Sequence, residues 1–245
     1  MTTHRVYDLP TRVFHTLFAG CFVIAFAIGN TVDDDSLVFS YHMLAGLVLC
    51  FLLPWRFIWG LVGTRHARFT DLQLKPSALM VYVKNILSPN KTFWAGHNPA
   101  SSWAAVLMCL LGLGMGISGL LMVTRGGAGE LKELHELFAN AFLIVVLLHI
   151  AGIAIHTVKH KDPIGKSMIT GCKQHLSEHD RAVAKHTGLG VVFLLVVLGF
   201  AAFLLANFEA SSRNLSLLGS QLHLGEAEHG GHERGAKRGH GHNDD

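Results

Sequence analysis

Five apolar segments, each long enough to cross a bilayer, constrain this chain more than any other feature of its sequence. They cover about residues 13–30, 39–61, 102–123, 136–157 and 187–207. A helix needs roughly 20 apolar residues to span the hydrocarbon layer. Charged residues make up only 15% of the chain, against about 25% in a typical soluble domain. The sequence therefore predicts an all-α protein, a polytopic membrane helix bundle.

The distribution of Lys and Arg predicts how the bundle is oriented. These residues concentrate in the N-terminal segment and in the loops after the second and fourth spans, whereas the loop after the first span has none. Because basic loops remain in the cytoplasm, we expect a bacterial inner-membrane protein with a cytoplasmic N-terminus and a periplasmic C-terminus. The net charge of +3 then reflects topology and contact with anionic lipid, and it does not indicate nucleic acid binding.

The chain divides into three parts by composition. Residues 1–175 hold four spans, residues 176–208 hold a cytoplasmic linker and a fifth transmembrane helix, and residues 209–245 form a periplasmic tail. The tail lacks apolar periodicity from about Gly225 on, which predicts disorder there. It is rich in histidines, which either bind zinc, copper or nickel loosely or only keep the tail soluble: His223, His229, His232, His240 and His242.

Four histidines lie on the apolar spans at depths that match in pairs. His135 and His149 are 14 residues apart, so they face the same way and lie roughly 21 Å apart along their helix. The second span places His42 at the depth of His135, and the first span places His15 at the depth of His149. An imidazole in hydrocarbon is costly unless something binds it. The pairs therefore predict two bis-histidyl haems, an outer one at His42 and His135 and an inner one at His15 and His149.

His156 is an alternative ligand for the inner haem. It lies seven residues after His149, about two turns on, so it points the same way. We favour His149, since His156 adjoins basic residues typical of the headgroup layer, and His156 is then a surface residue or a partner of a haem propionate. Four arginines are further candidates for inner propionate or headgroup contacts: Arg12, Arg56, Arg65 and Arg68. Other histidines occur in the basic loops and are expected to be solvated: His66, His97, His160, His175, His179 and His186.

Several motifs resemble one known family. They are Tyr7–His15, Trp59–Phe69, Gly96–Pro99 and His135–Asn140. With these motifs, the chain from about Tyr7 to Lys173 resembles the bacterial cytochrome b561 family, which is related to the b-type cytochrome subunits of nickel-iron hydrogenases. The resemblance implies a four-helix core with two haem b groups and quinone-linked electron transfer. It also implies axial ligands at His15, His42, His135 and His149, while the fifth helix and the tail lie beyond the family's core.

We therefore expect a carrier of electrons between the quinone pool and a periplasmic or membrane partner, such as a c-type cytochrome, a dehydrogenase or a hydrogenase. A stand-alone catalyst is the weaker interpretation. One alternative is a superoxide:quinone oxidoreductase, an activity known in the family, although the acidic outer residues Asp33, Asp34 and Asp35 disfavour attraction of an anion. Another is a membrane anchor subunit with a metal-binding tail. Membrane lipid and quinone or quinol are expected partners, and a homodimer is left open.

Overall fold

The protein folds as a bundle of long helices. Its structure is a computed structural model that describes residues 4–86, 94–125, 129–161, 163–173, 182–217 and 219–225. The described residues include seven α-helices: α1 Leu9–Thr31, α2 Leu37–Val62, α3 Pro76–Lys84, α4 Pro99–Arg125, α5 Glu130–His160, α6 Lys166–Thr170 and α7 Thr187–Ala206. Five of them, α1, α2, α4, α5 and α7, are long and apolar enough to cross a membrane. This confirms the predicted helical fold class and its five spans.

Polar caps fix where the first two long helices begin. Helix α1 starts at Leu9 because the Asp8 carboxylate accepts a hydrogen bond from the Thr11 amide at 2.8 Å and because Pro10 suits a first helical turn. Helix α2 is capped in the same way by Ser36. Both helices therefore begin a few residues before the apolar segments from which they were predicted.

The spans run alternately between the two ends of the bundle. We call the end at which α1 begins the N side and the opposite end the far side. Helix α1 packs against α2, α4 packs against α5, and α2 joins the two pairs through α4. Helix α7 packs on α1 and α2, where Phe193 stacks on Trp55 at 4.1 Å and Phe200 stacks on Phe51 at 4.3 Å. The fifth helix is thus an integral part of the bundle.

Short strands close both ends of the fold. On the N side, β1 (His4–Arg5) pairs antiparallel with β2 (Cys172–Lys173), which joins the start of the chain to the segment after α6. On the far side, β3 (Phe208–Glu209), β4 (Asn214–Leu217) and β5 (Ser220–His223) form an antiparallel sheet directly after α7.

The far-side sheet is formed by the first part of the predicted tail. Residues 209–217 and 219–225 form strands and turns. Leu215 and Leu224 are almost fully buried in the same apolar cluster as α2 and α7, and the Ser40 hydroxyl donates to the Leu224 carbonyl at 2.6 Å. The strands are too short for their alternating leucines to stand out in the sequence. Residues 226–245, where disorder is predicted, lie outside the described residues.

The outward faces of the helices are apolar and exposed. Leu61, Leu148 and Leu195 are 71%, 67% and 61% exposed. So much exposed apolar surface is unfavourable in water but suits a lipid environment, where helices satisfy their own backbone hydrogen bonds. Together with the five spans, this surface identifies a multi-pass membrane protein.

Candidate functional site

The far side of the bundle brings together the imidazoles of His42 on α2 and His135 on α5. Their ring centres are 6.1 Å apart and the ring planes cross at 73°. Metal-bound imidazole nitrogens lie about 2 Å from the metal, so two rings on one metal ion have centres roughly 6 Å apart. The spacing therefore fits a single iron held between the two rings.

Hydrogen bonds fix which nitrogen of each ring can bind a metal. His42 Nδ1 lies 2.7 Å from the carbonyl oxygen of Ala25. His135 Nδ1 lies 3.1 Å from the carbonyl oxygen of Met115 and 3.0 Å from the hydroxyl of Ser118. A carbonyl oxygen only accepts, so Nδ1 of each ring carries the proton and Nε2 keeps its lone pair. Metal-binding histidines are commonly oriented in this way.

A glycine lies next to each of the two carbonyls that His42 and His135 contact. Gly29 is four residues after Ala25, and Gly119 is four residues after Met115. A Cβ added at Gly29 would lie 3.0 Å from His42 Nδ1, and one added at Gly119 would lie 3.4 Å from His135 Cε1. Each glycine therefore leaves the space into which an imidazole projects. The sequence showed these glycines and Ser118, but only the structure gives them a role.

The N side places His15 on α1 near His149 on α5. The contacts of Phe18 and Phe22 with Phe142 hold these two helices together, and both histidines lie to the N side of these contacts, as the predicted inner pair requires. Among the described residues, no hydrogen bond orients either ring. This pair is therefore defined by its position, whereas the far-side pair is also defined by its hydrogen bonds.

An aromatic layer separates the two histidine pairs. Phe142 lies midway along α5 between His135 and His149 and is only 2% exposed. Its ring contacts Phe22 at 4.4 Å and Phe18 at 6.0 Å, both on α1. The space between the two candidate sites is thus filled by packed, apolar side chains.

His156 does not lie at the surface, contrary to one of its predicted roles. It is 5% exposed and lines an N-side cavity of about 470 Å³ between α3, α5 and the start of α4. Trp94 also lines this cavity, and its indole N–H is buried without a hydrogen-bond partner among the described residues. Lys159 at the rim donates to the carbonyls of Asn85 and Ile86 at 3.0 and 3.1 Å. The cavity combines apolar walls with several polar groups.

Arg12 and Arg65, two of the arginines predicted to contact haem propionates or lipid headgroups, both have partners within the protein. Arg12 donates to the carbonyls of Met168 and Ile169, which ties α1 to α6. Arg65 lies 3.7 Å from a carboxylate oxygen of Asp71 and is largely exposed. These contacts give both side chains a role in joining the N-side loops.

Two loop histidines predicted to be solvated lie inside the N side. His66 is 3% exposed and its Nδ1 lies 2.8 Å from the Asp71 carboxylate. Nδ1 of His97 is buried and has no partner among the described residues. Burial, assisted by the nearby cations Arg56 and Lys173, lowers the pKa of His97 to about 3. The prediction of solvation is therefore wrong for both. His175 and His179 lie outside the described residues.

The donor set agrees with haem rather than with a metal held by protein alone. In the described part of the chain, no three His, Cys, Asp or Glu side chains are grouped to hold a metal ion. Two imidazoles leave the other coordination positions to a porphyrin, which fits the bis-histidyl pairs. Covalent attachment is excluded, because the sequence contains no Cys-x-x-Cys-His motif. Metal binding by histidines beyond residue 225 stays a prediction.

A comparison with protein families agrees with the resemblance seen in the sequence. The family model described as prokaryotic cytochrome b561 matches residues 6–171, which is more than half of the chain. The match includes all four paired histidines and ends before α7 and the far-side sheet. No curated protein and no solved structure matches the chain.

Proposed function

Because the chain belongs to the prokaryotic cytochrome b561 family, the membrane b-type cytochromes of electron transfer, we propose that it carries electrons through two haem b groups between the quinone pool and a redox partner. The first haem is held by His15 and His149 at the cytoplasmic face, and the second by His42 and His135 at the periplasmic face. Basic N-side loops support this orientation in the bacterial inner membrane.

The geometry of His42 and His135 carries this proposal. Their ring centres are 6.1 Å apart, and each Nδ1 lies at a carbonyl oxygen, so the Nε2 atoms of both rings could bind one iron. Haem b, when bound, would supply an iron that cycles between its ferric and ferrous states. If both imidazoles held that iron, no position would be left for a substrate, which favours electron transfer over catalysis at the metal.

The spacing of the two sites supports transfer across the membrane. Both use α5, so the sites are separated by about 21 Å along one rigid helix. Phe142 and its aromatic neighbours exclude water from the space between them. The role of this chain is thus to hold both sites at fixed depth in a dry environment, which sets the potentials and the distance.

The N-side cavity supports exchange with a quinone. A quinone ring is apolar and carries two carbonyl oxygens, which accept hydrogen bonds. The cavity offers apolar walls, the buried indole N–H of Trp94 and the imidazole of His156. His156 lies about two turns along α5 from His149, so a quinone there would be near the proposed cytoplasmic haem.

The far side supports docking of a periplasmic partner more than attraction of a small anion. Its described basic residue on α5, Lys132, forms a salt bridge with Asp34, and Asp33 and Asp35 lie beside it. A c-type cytochrome, a dehydrogenase or a hydrogenase therefore remains the proposed partner, and superoxide oxidation receives less support.

Quinol-driven reduction in lipid nanodiscs tests this function. We expect quinol to reduce the cytoplasmic haem first and the periplasmic haem through it. His149→Ala should abolish fast reduction of the remaining haem, and His156→Ala should slow the first step while both haems are retained. Fast reduction of the periplasmic haem in the His149→Ala variant would contradict the proposed route.

A further inference from the structure

Arg56 is a partly buried cation on a membrane-spanning helix. It lies six residues before the N-side end of α2, about 9 Å inside that end. Its guanidinium donates to the Ala67 carbonyl at 3.0 Å and lies 4.7 Å from the centre of the Phe69 ring. Among the described residues it forms no ion pair. Arginine has five N–H donors, so most of them are left for another acceptor.

The nearby carboxylates are already occupied. Asp8 is fully buried and accepts three hydrogen bonds, from the Thr11 amide, the Trp59 indole and the Thr64 hydroxyl. Asp71 binds His66 and Arg65 instead. Because a charge inside a membrane protein is normally paired, the arrangement around Arg56 points to an anion supplied from outside the protein chain.

His97 gives a second indication of an external acceptor near Arg56. Its Nδ1 is buried without a hydrogen-bond partner among the described residues, and its ring packs edge-on against Tyr7 at 6.0 Å. Arg56 contacts the carbonyl of Ala67, and the preceding residue, His66, lies 2.6 Å from where a Cβ on Gly96 would be. Because Gly96 directly precedes His97, the buried ring nitrogen of His97 and the guanidinium of Arg56 belong to one N-side cluster. This cluster lies at the end of the bundle that holds His15 and His149.

We propose that Arg56 and His97 bind one propionate carboxylate of the N-side haem. This inference rests on the haem proposed at His15 and His149. Haem b carries two propionates on one edge, and a carboxylate is the acceptor that a guanidinium fork and an imidazole N–H bind best.

Infrared difference spectra of the full-length holoprotein test the contact. Haem whose propionate carboxylates carry a heavy carbon isotope identifies the propionate bands that change on reduction. Arg56→Gln and His97→Phe should each shift these isotope-sensitive bands. Arg56→Gln should also lower the midpoint potential of the N-side haem, since a positive charge stabilises the reduced state.

Arg68→Gln is the matched control, because Arg68 lies in the next loop, carries the same charge and is exposed. It should leave the labelled bands unchanged. If Arg56→Gln loses the N-side haem, Arg56→Lys replaces it in this experiment. Lysine keeps the positive charge but lacks the planar guanidinium fork, so the labelled propionate bands of Arg56→Lys should also shift.

Two results would overturn the inference and leave the proposed function standing. One is an intact N-side haem whose labelled bands are the same in the wild type and in both site variants. The other is unchanged propionate bands with loss of a co-purifying phospholipid, which would assign the pocket to a lipid phosphate. By contrast, absence of any haem dependent on His149 in the wild type would refute the proposed function itself.

Discussion

Gly29→Ala should weaken the far-side haem although alanine is the better helix former. Alanine in a helix interior is favoured over glycine by about 0.5–1 kcal/mol. The new Cβ, however, would lie 3.0 Å from His42 Nδ1, whereas ordinary carbon contacts are about 3.5–4.0 Å. The imidazole must therefore move by roughly 0.5 Å, away from the Ala25 carbonyl that it contacts at 2.7 Å.

The expected loss of haem affinity follows from strain in the hydrogen bond between His42 Nδ1 and the Ala25 carbonyl. Loss of the partner that orients a metal-binding histidine typically costs about 10–100-fold in affinity, which corresponds to about 1.4–2.7 kcal/mol. We expect the far-side haem to dissociate faster by about this factor. The N-side haem should be unaffected, because it lies at the other end of α5.

Transfer of haem to apomyoglobin measures the dissociation rate of each haem. Gly20→Ala is the matched control, since it lies on the same helix and an added Cβ there meets nothing within 4 Å. The low-spin electron paramagnetic resonance signal of the far-side haem should change only in Gly29→Ala. Equal transfer rates and equal spectra for the two variants would refute the proposed orientation of His42 by the Ala25 carbonyl.

Three further variants test other parts of the structure. Ser118→Ala removes one of the two hydrogen-bond partners of His135 Nδ1 and should accelerate loss of the far-side haem by about tenfold. This is the low end of the range for loss of a partner that orients a metal-binding histidine, because the Met115 carbonyl remains. An unchanged rate of haem transfer to apomyoglobin would contradict this expectation. Leu215→Ala opens a cavity under the far-side sheet, costs about 2–5 kcal/mol, and should speed amide hydrogen exchange in β3–β5 while haem content stays constant. Phe142→Ala should slow electron transfer between the haems with both retained, as measured by flash photoreduction, and an undiminished rate would mean that the aromatic layer is not on the route.

The sequence was sufficient to predict the five spans and to place His42 and His135 at one depth, where the structure brings their rings together. Hydrophobic segment length decides which helices cross a membrane, and helical geometry places His135 and His149 on one face of α5. Both arguments depend on local chain geometry alone, and the five spans followed from them directly.

Other features depend on contacts between distant segments and could not be predicted in this way. Ala25 accepts from His42 only because α1 and α2 pack closely at Gly29, and no local pattern shows that approach. His66 and His97 lie in basic loops, but Asp71 and the surrounding helices bury them. Leu215 on β4 and Leu224 just after β5 are buried only because α7 returns the chain to the far ends of α2 and α4.

The number of haems retained by histidine variants tests the central claim most directly. The purified wild type should contain two haem b groups per chain by the pyridine haemochrome assay. His42→Ala and His149→Ala should each retain one, and His156→Ala should retain both. Two haems in His149→Ala together with one in His156→Ala would contradict the assigned N-side pair. Two haems in His42→Ala, the same number as in the wild type, would contradict the far-side pair.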